Sequence, residues 1–300
     1  MVKQFRSLGL MTFLVAGGVG LAWLSMKSGH DSNPPAPVHV ERVVCMHPAA
    51  TELFFAMGQQ DRLVAVSNFC TVPPEAQDKP SIGDTVNPDL ERIRMLHPDL
   101  VIVSGEIPTI TRFCQTRGLR VENLHMEGID GIRQGILRLG ELLDETERAA
   151  ALWSEIETQL DAVRMRLAGQ AQVSTFFAFY RTPGSLAGMT TAGSGTYIDE
   201  LITLAGGRNI FADVNTPYPQ ISKETLVKRQ PEVIIEPREQ QGLDDLRRAA
   251  FRADWQMLTI PVARQRIYFP DQDLVLRPGP RVGYAAYLLA EMIHPECFHE

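Results

Sequence analysis

The sequence predicts an α/β protein of two related lobes joined by one long helix, with a ligand held between the lobes. Three observations carry this. First, the segment 87–103, NPDLERIRMLHPDLVIV, returns at 220–235 as QISKETLVKRQPEVII. A displacement of 133 positions (224 minus 91) puts Glu224 on Glu91, Leu226 on Ile93, Pro231 on Pro98, Glu232 on Asp99, and Ile234-Ile235 on Val101-Ile102. Second, TELFFAMG at 51–58 is echoed by DELITLAG at 199–206, displaced by 148 (201 minus 53). The larger displacement means a longer strand-to-helix loop in the second lobe. Third, the alternation of strand and helix stops over 128–169 and then restarts.

Residues 1–37 stand outside this pattern. Lys3 and Arg6 precede an apolar run over 8–26, and a polar, proline-rich KSGHDSNPPAP follows. Positive start, apolar middle and polar exit are the layout of an export signal. The run is also just long enough to span a bilayer as a helix, so a cleaved signal and a retained anchor are both open. Either way the charge placement sends residues 38–300 across the membrane.

From residue 38 the first lobe extends to 143. The β-branched run 40–46 is a strand, and 48–57, with Leu53, Phe54 and Met57 at helical spacing, is a helix stopped by Gly58. A strand at 63–67 and a loop through Val72-Pro73-Pro74 lead to the first copy of the repeat. There Asn87 is the expected cap and Pro88 suits the first turn. The continuous apolar strand 100–103 fits a parallel sheet covered on both faces. A helix at 109–118 and a strand at 120–124 complete the β-α-β series.

The segments 128–143 and 144–169 are helical, dense in Leu, Ala, Glu, Arg and Gln, with no proline. The second is predicted to bridge the lobes, since 144–167 would be about 36 Å long at 1.5 Å per residue. The second lobe, 170–300, begins with a strand at 173–180. A Gly/Ser/Thr-rich loop at 181–196 follows, then a helix closing on Gly206 and the second copy of the repeat. A helix over 243–254, a strand at 267–269 and a last helix over 281–293 finish the chain.

In open α/β sheets ligands bind beyond the carboxyl ends of the strands. That rule nominates His47, Phe69, Glu106 and His125 from the first lobe, and Tyr180, Arg181, Met189, Tyr218 and Arg277 from the second. Tyr218, shifted by 133, falls opposite Thr85, which joins the set. Enzyme signatures are missing: no GxSxG elbow, no GxxxxGK[ST] loop, no HExxH helix and no GxGxxG after a strand. His47 and His125 could belong to a metal site with Glu106 or Tyr180, but no aligned third ligand supports it, and lining a cleft is the simpler role. No catalytic residue and no resident metal is expected. Arg277 and Arg281, flanking PGP, suit either a ligand carboxylate or phosphate or a protein acid. The net charge of −7 argues against nucleic acid as a partner. The four cysteines show neither CxxC pairing nor zinc-like spacing, which suits buried small hydrophobes. Glu91 and Glu224 each sit in a first helical turn, where the dipole favours an acid. Their equivalence in two lobes further suggests a two-point contact for arginines on a partner.

The segments RVVCMHPAATELFFAMG, VNPDLERI, YPQISKE and RPGPRVGYAAYLLAEMIHPE together resemble the substrate-binding proteins of ABC importers for cobalamin and ferric siderophores, the cobalamin-binding group above all. The resemblance implies a class III periplasmic binding protein, in which two Rossmann-like lobes share one rigid helix and close only slightly. It implies a periplasmic protein that captures a metal chelate, a corrinoid first and a ferric siderophore second, and delivers it to the importer's permease dimer. It implies no cofactor, and membrane contact only through the N-terminal segment. In the cobalamin-binding group a glutamate on each lobe pairs with permease arginines, and those positions match Glu91 and Glu224. The chain departs from the pattern at three places. NFCTVPP keeps only Phe69 of the aromatics expected before the PP segment, Thr85 stands at a tryptophan position, and His47 stands at a serine position. Fewer rings weaken the case for a corrin. Haem or a bare metal ion, taken by His47, His125 or Tyr180, is the alternative ligand, and a membrane-tethered sensor the alternative role.

Overall fold

In the first lobe, strands and helices alternate in the order the apolar runs dictate. The computed structural model describes residues 39–260 and 266–298, and the expected export segment lies outside them. The lobe runs β1 (Val43–Cys45), α1 (Pro48–Ala56), β2 (Leu63–Val66), α2 (Leu90–Met95), β3 (Leu100–Val103), α3 (Pro108–Arg117), β4 (Arg120–Asn123) and α4 (Gly128–Leu142). Next, α5 (Thr146–Arg166) leads into β5 (Val173–Phe177), β6 (Met189–Thr190), α6 (Tyr197–Leu204), β7 (Gly207–Asn209), β8 (Gln220–Ile221) and α7 (Lys223–Arg229). The chain ends with β9 (Val233–Ile235), α8 (Asp245–Gln256), β10 (Ile267–Tyr268), α9 (Gln272–Val275) and α10 (Val282–Ile293).

Each lobe holds a four-stranded parallel sheet. The orders, β2-β1-β3-β4 and β7-β5-β9-β10, are the same topology built twice. The repeated Pro-acid turn has a mechanical reason in this arrangement. The Asp99 carboxylate accepts the backbone N–H groups of Glu41 and Arg42 at 3.0 and 2.9 Å, just before β1. Glu232 likewise accepts the N–H of Ser174 in β5 at 2.9 Å. One acid per lobe thus ties the third strand's entry to the first strand and fixes their register.

Some boundaries differ from the sequence reading. Helix α2 starts at Leu90 with Asp89 as its cap, accepting the Arg92 N–H at 2.9 Å. Asn87 instead lies in a turn where Asp84 accepts its N–H at 2.7 Å. Asp144 and Gly169, both at positive φ, stand outside α5, which holds 21 residues and is therefore about 31 Å long. Strand β5 ends at Phe177 rather than Tyr180. Strand β7 was invisible in the sequence because GRN has no strand pattern. A side chain at Gly207 would collide with Ile202 and Thr175, at 2.7 and 2.8 Å, so glycine is what admits this strand beside α6 and β5.

The core explains why the lobes act as one body. A single apolar cluster runs from Leu53 and Phe54 of α1 through Ile132, Ile136 and Leu139 of α4 to Ile156, Leu160 and Val163 of α5. It continues into Leu201 and Ile202 of α6 and Leu289 and Ile293 of α10. Helix α5 packs on both α4 and α10, and α4 also packs on α6. The crossing helix is therefore embedded in a helical layer shared by both lobes. At one seam, Glu200 of α6 accepts the N–H of Ile129 in the first turn of α4 at 2.8 Å, where the helix dipole favours an anion.

Candidate functional site: the cleft between the strand ends

The carboxyl ends of β1, β3 and β4 meet the segment Leu276–Pro278 of the second lobe around a cavity of about 240 Å³. His47, Ser104 and Glu127 line it from the first lobe and Arg277 from the second. A larger hollow of about 570 Å³ lies on the flank of α6 and the end of α5, around Arg164 and Thr203. No strand of either sheet ends there, so the smaller cavity is the one that the topology singles out.

His47 follows β1 directly and caps α1: its Nδ1 accepts the N–H of Ala50 at 3.3 Å. The ring is 5% exposed, and burial pushes its pKa down to about 4, against a smaller opposing effect of a hydrogen bond to the Leu124 backbone. A neutral imidazole has one donor and one acceptor nitrogen. Here the acceptor holds Ala50 and the donor holds Leu124, so His47 keeps no lone pair for a metal unless the helix cap opens.

The seam beside the cavity is ionic. Glu52 of α1, 5% exposed, takes a bidentate contact from Arg281, with Nε and Nη2 at 2.6 and 3.0 Å. Arg277 approaches the same carboxylate at 3.6 Å, donates to the Thr71 hydroxyl at 2.9 Å, and pairs with Asp273 at 2.8 Å. Between these arginines the proline–glycine turn lies flat on α1, and a Cβ at Gly279 would come 3.1 Å from the Ala49 Cβ. Arg281 therefore finds its acid on the other lobe, while Arg277 reaches the cavity.

The three nominated aromatic rings are all exposed. Phe69, Tyr180 and Tyr218 are 55%, 58% and 58% exposed on loops that follow or neighbour strand ends. Tyr218 packs edge-on against Phe179, with centroids 5.3 Å apart. Partial burial and then the nearby Glu127 charge raise its phenol pKa, which sets Tyr218 within electrostatic reach of the first lobe. Glu106 and His125 are exposed at the ends of β3 and β4, and Thr85 is half-buried in the turn before α2.

Arg181 and Met189 lie elsewhere than the sequence reading placed them: both are fully buried inside the second lobe. Arg181 pairs with Glu236 at 2.9 Å and Asp254 at 2.5 Å, and its guanidinium lies 5.3 Å from the Trp255 ring centre. Asp254 also accepts the N–H of Gly184, so this buried pair anchors the glycine-rich loop from beneath. Met189 belongs to β6, paired with β8, and packs in the second lobe's own core. Ser104 and Glu127 were overlooked, although the strand-end rule that found Glu106 and His125 covers them equally.

Glu91 and Glu224 occupy equivalent first turns of α2 and α7. Each helix leads through the repeated Pro-acid turn into the next strand, β3 and β9. Both acids are exposed. Glu91 is paired with Arg94 at 2.9 Å. The Glu224 carboxyl is held below its usual range, chiefly by its own backbone N–H and then by Ser222.

Two like-ordered parallel sheets fused through a common core, with a cavity where strand ends of the first meet the 276–278 segment of the second lobe, define a bilobal ligand-binding protein. The cleft's acids, arginines and histidines are held by structural partners or stand singly. Comparison with known proteins gives the family: the model for periplasmic binding proteins matches residues 43–250, and the chain belongs to that family. It is 28% identical over 247 residues to the vitamin B12-binding protein of Vibrio cholerae serotype O1, covering 82% of this chain and 86% of that protein. The crystal structure of the periplasmic vitamin B12-binding protein BtuF of Vibrio cholerae superposes with a TM-score of 0.72 at 25% identity, covering 87% of this chain and 99% of that one. The periplasmic heme-binding protein RhuT of Roseiflexus sp. RS-1 superposes with a TM-score of 0.74 at 26% identity, covering 86% and 99%.

Proposed function

We propose that this protein is a carrier, not a catalyst. It captures a metal chelate outside the cytoplasmic membrane and hands it to the permease dimer of an ABC importer. A corrinoid is the leading ligand and a ferric siderophore the second. The observation that carries this is the cavity at the ends of β1, β3 and β4, lined by His47, Ser104 and Glu127 from the first lobe and by Arg277 from the second. Three exposed rings on loops of both lobes suit a broad, flat ligand that gains most from aromatic faces. The names of the sequence relatives, vitamin B12-binding proteins, favour the same ligand class. Arg277 would meet a carboxylate, amide or phosphate oxygen at the cavity floor, and Ser104 would offer a hydroxyl. His47 serves as a rigid wall of the cavity.

A second reading is haem. It rests on His125, an exposed imidazole past the end of β4 that is free of the contacts occupying His47, and on the likeness to heme-binding proteins. Titration calorimetry with cyanocobalamin and with hemin separates the two. The corrinoid reading expects a saturable heat with cyanocobalamin. Its failure to bind at concentrations on the order of tens of micromolar would sink that reading. A shifted haem spectrum that disappears in His125→Ala would establish the other.

A further inference from the structure

At the far end of α10, one turn beyond the last helical residue, three potential metal donors come together. His294, Glu296 and Cys297 each offer an atom, and these lie within 4.8 Å of one another. The arrangement is remote from the cleft. Helix α10 has 12 residues, about 18 Å of rise, and its opposite end adjoins the Arg281–Glu52 contact.

His294 is engaged at both ring nitrogens. The ring is 2% exposed, and its Nε2 lies 3.1 Å from the carbonyl oxygen of Gly206. A carbonyl only accepts, so Nε2 carries the hydrogen. The neutral ring then presents a lone pair at Nδ1, and Nδ1 faces the Glu296 Oε1 at 3.0 Å. Two lone pairs at that distance repel unless a cation sits with them, and only a proton or a metal ion can fill the role. Donation of the outer N–H to a backbone carbonyl is the usual support of a metal-binding histidine, because it fixes the tautomer and aims the free nitrogen. The support is built in: Gly206 has a φ of 78°, and a Cβ there would come 2.7 Å from the His294 Nε2.

A proton alone would account for the His294–Glu296 pair, and Cys297 packs in part on the shared core; what distinguishes the trio is that the sulfur also stands within 4.8 Å of both other donor atoms. Imidazole, carboxylate and thiolate together make a donor set suited to a borderline divalent ion such as zinc or cobalt, and unsuited to magnesium or calcium. Three protein donors leave a tetrahedral position for water. The geometry points to a transition-metal site formed by His294 Nδ1, Glu296 and Cys297 Sγ. Bound metal would staple the chain's end to the turn between α6 and β7. The neighbouring Phe298 already helps to close that end, packing on Tyr287 with centroids 5.0 Å apart and lying under Arg166 at 4.9 Å. Loading displaces the proton shared by His294 Nδ1 and Glu296 and also releases the thiol proton, both to solvent, with no change of oxidation state.

The test uses the purified full chain, stripped with a chelator, reduced, and titrated with cobalt(II) chloride under argon. One equivalent should bind and give both visible d–d absorption and a near-ultraviolet thiolate-to-cobalt band. Cys297→Ser should lose the near-ultraviolet band, and Glu296→Gln should weaken binding by about tenfold or more. Zinc chloride should displace the cobalt. The proposal is overturned if the native chain gives no thiolate band, if that band survives in Cys297→Ser, or if uptake is unchanged in the double variant. Circular dichroism and cyanocobalamin titration of the same variants show that the fold and the cleft are intact, so failure here stays separate from failure of the carrier reading.

Discussion

Replacing His47 by asparagine should flatten the acid sensitivity of the fold. Burial depresses the imidazole pKa from its ordinary 6.5 to about 4. Between those values the unfolded chain binds a proton that the folded chain refuses, so stability falls as pH falls. The contribution is fully present above pH 6.5 and is lost as pH drops toward 4. A depression of this size corresponds to about 3 kcal/mol when fully expressed, of which about 2 kcal/mol is lost between pH 7 and pH 5. Asparagine removes the titration yet can still accept the Ala50 N–H as a helix cap. Urea unfolding followed by circular dichroism, for native and His47→Asn proteins at both pH values, gives the difference of differences. We expect the native protein to lose about 2 kcal/mol more than the variant on acidification. Equal losses, within about 0.5 kcal/mol, would show that the ring protonates without penalty and that its burial is not what sets its charge.

Two further outcomes follow from the seam and the rim. Arg281→Met strips the buried Glu52 of its bidentate partner and leaves only Arg277 at 3.6 Å; it should cost about 3 kcal/mol in urea unfolding. Glu52→Leu combined with Arg281→Met should recover most of that loss, and a double variant as unstable as the single one would refute the ion-pair explanation. Glu91→Lys together with Glu224→Lys should abolish cellular uptake while leaving the calorimetric affinity for cyanocobalamin within about twofold. An equal fall in affinity would place these acids in the cleft instead of on the docking face.

The lobes were legible in the sequence because a repeated burial pattern must be encoded twice. Ile93 and Leu226, both buried, seat the two equivalent helices, and Asp99 and Glu232 tie equivalent strands together. Strand β7 was illegible for the opposite reason. Its place depends on the absence of a side chain at Gly207 and on Asn209 donating to the Ala192 carbonyl and to Asp199 at 3.0 and 2.8 Å, contacts that leave no periodic trace. The strand-end rule located the cleft but not the direction of each side chain. Tyr180 and Arg181 are neighbours in sequence, yet one is 58% exposed and the other fully buried. Arg181 turns inward because Glu236 and Asp254 await it, on β9's exit and on α8, and no local pattern announces partners so distant along the chain.

The seam also decides where ligand specificity can reside. Wide hinge closure would have to part the Glu52–Arg281 contact, release the N–H of Ile129 from Glu200, and shear a core shared by α4, α5, α6 and α10. The sheared core is the largest of these obstacles, since each Å² of apolar surface it exposes costs about 25 cal/mol. A micromolar ligand has only about 8 kcal/mol of binding free energy in total, so it could drive such a motion only by forfeiting much of its affinity. The economical course is a cleft formed before the ligand arrives, with adjustment confined to the loops that carry Phe69, Tyr180 and Tyr218. Those loops lie outside the shared core and project exposed rings, so they can change between relatives without disturbing the seam. A corrinoid carrier and a haem carrier can therefore share this frame and differ chiefly in what stands at the strand ends. Here those positions hold His47 already engaged and His125 free, and the two ligand readings divide on that contrast.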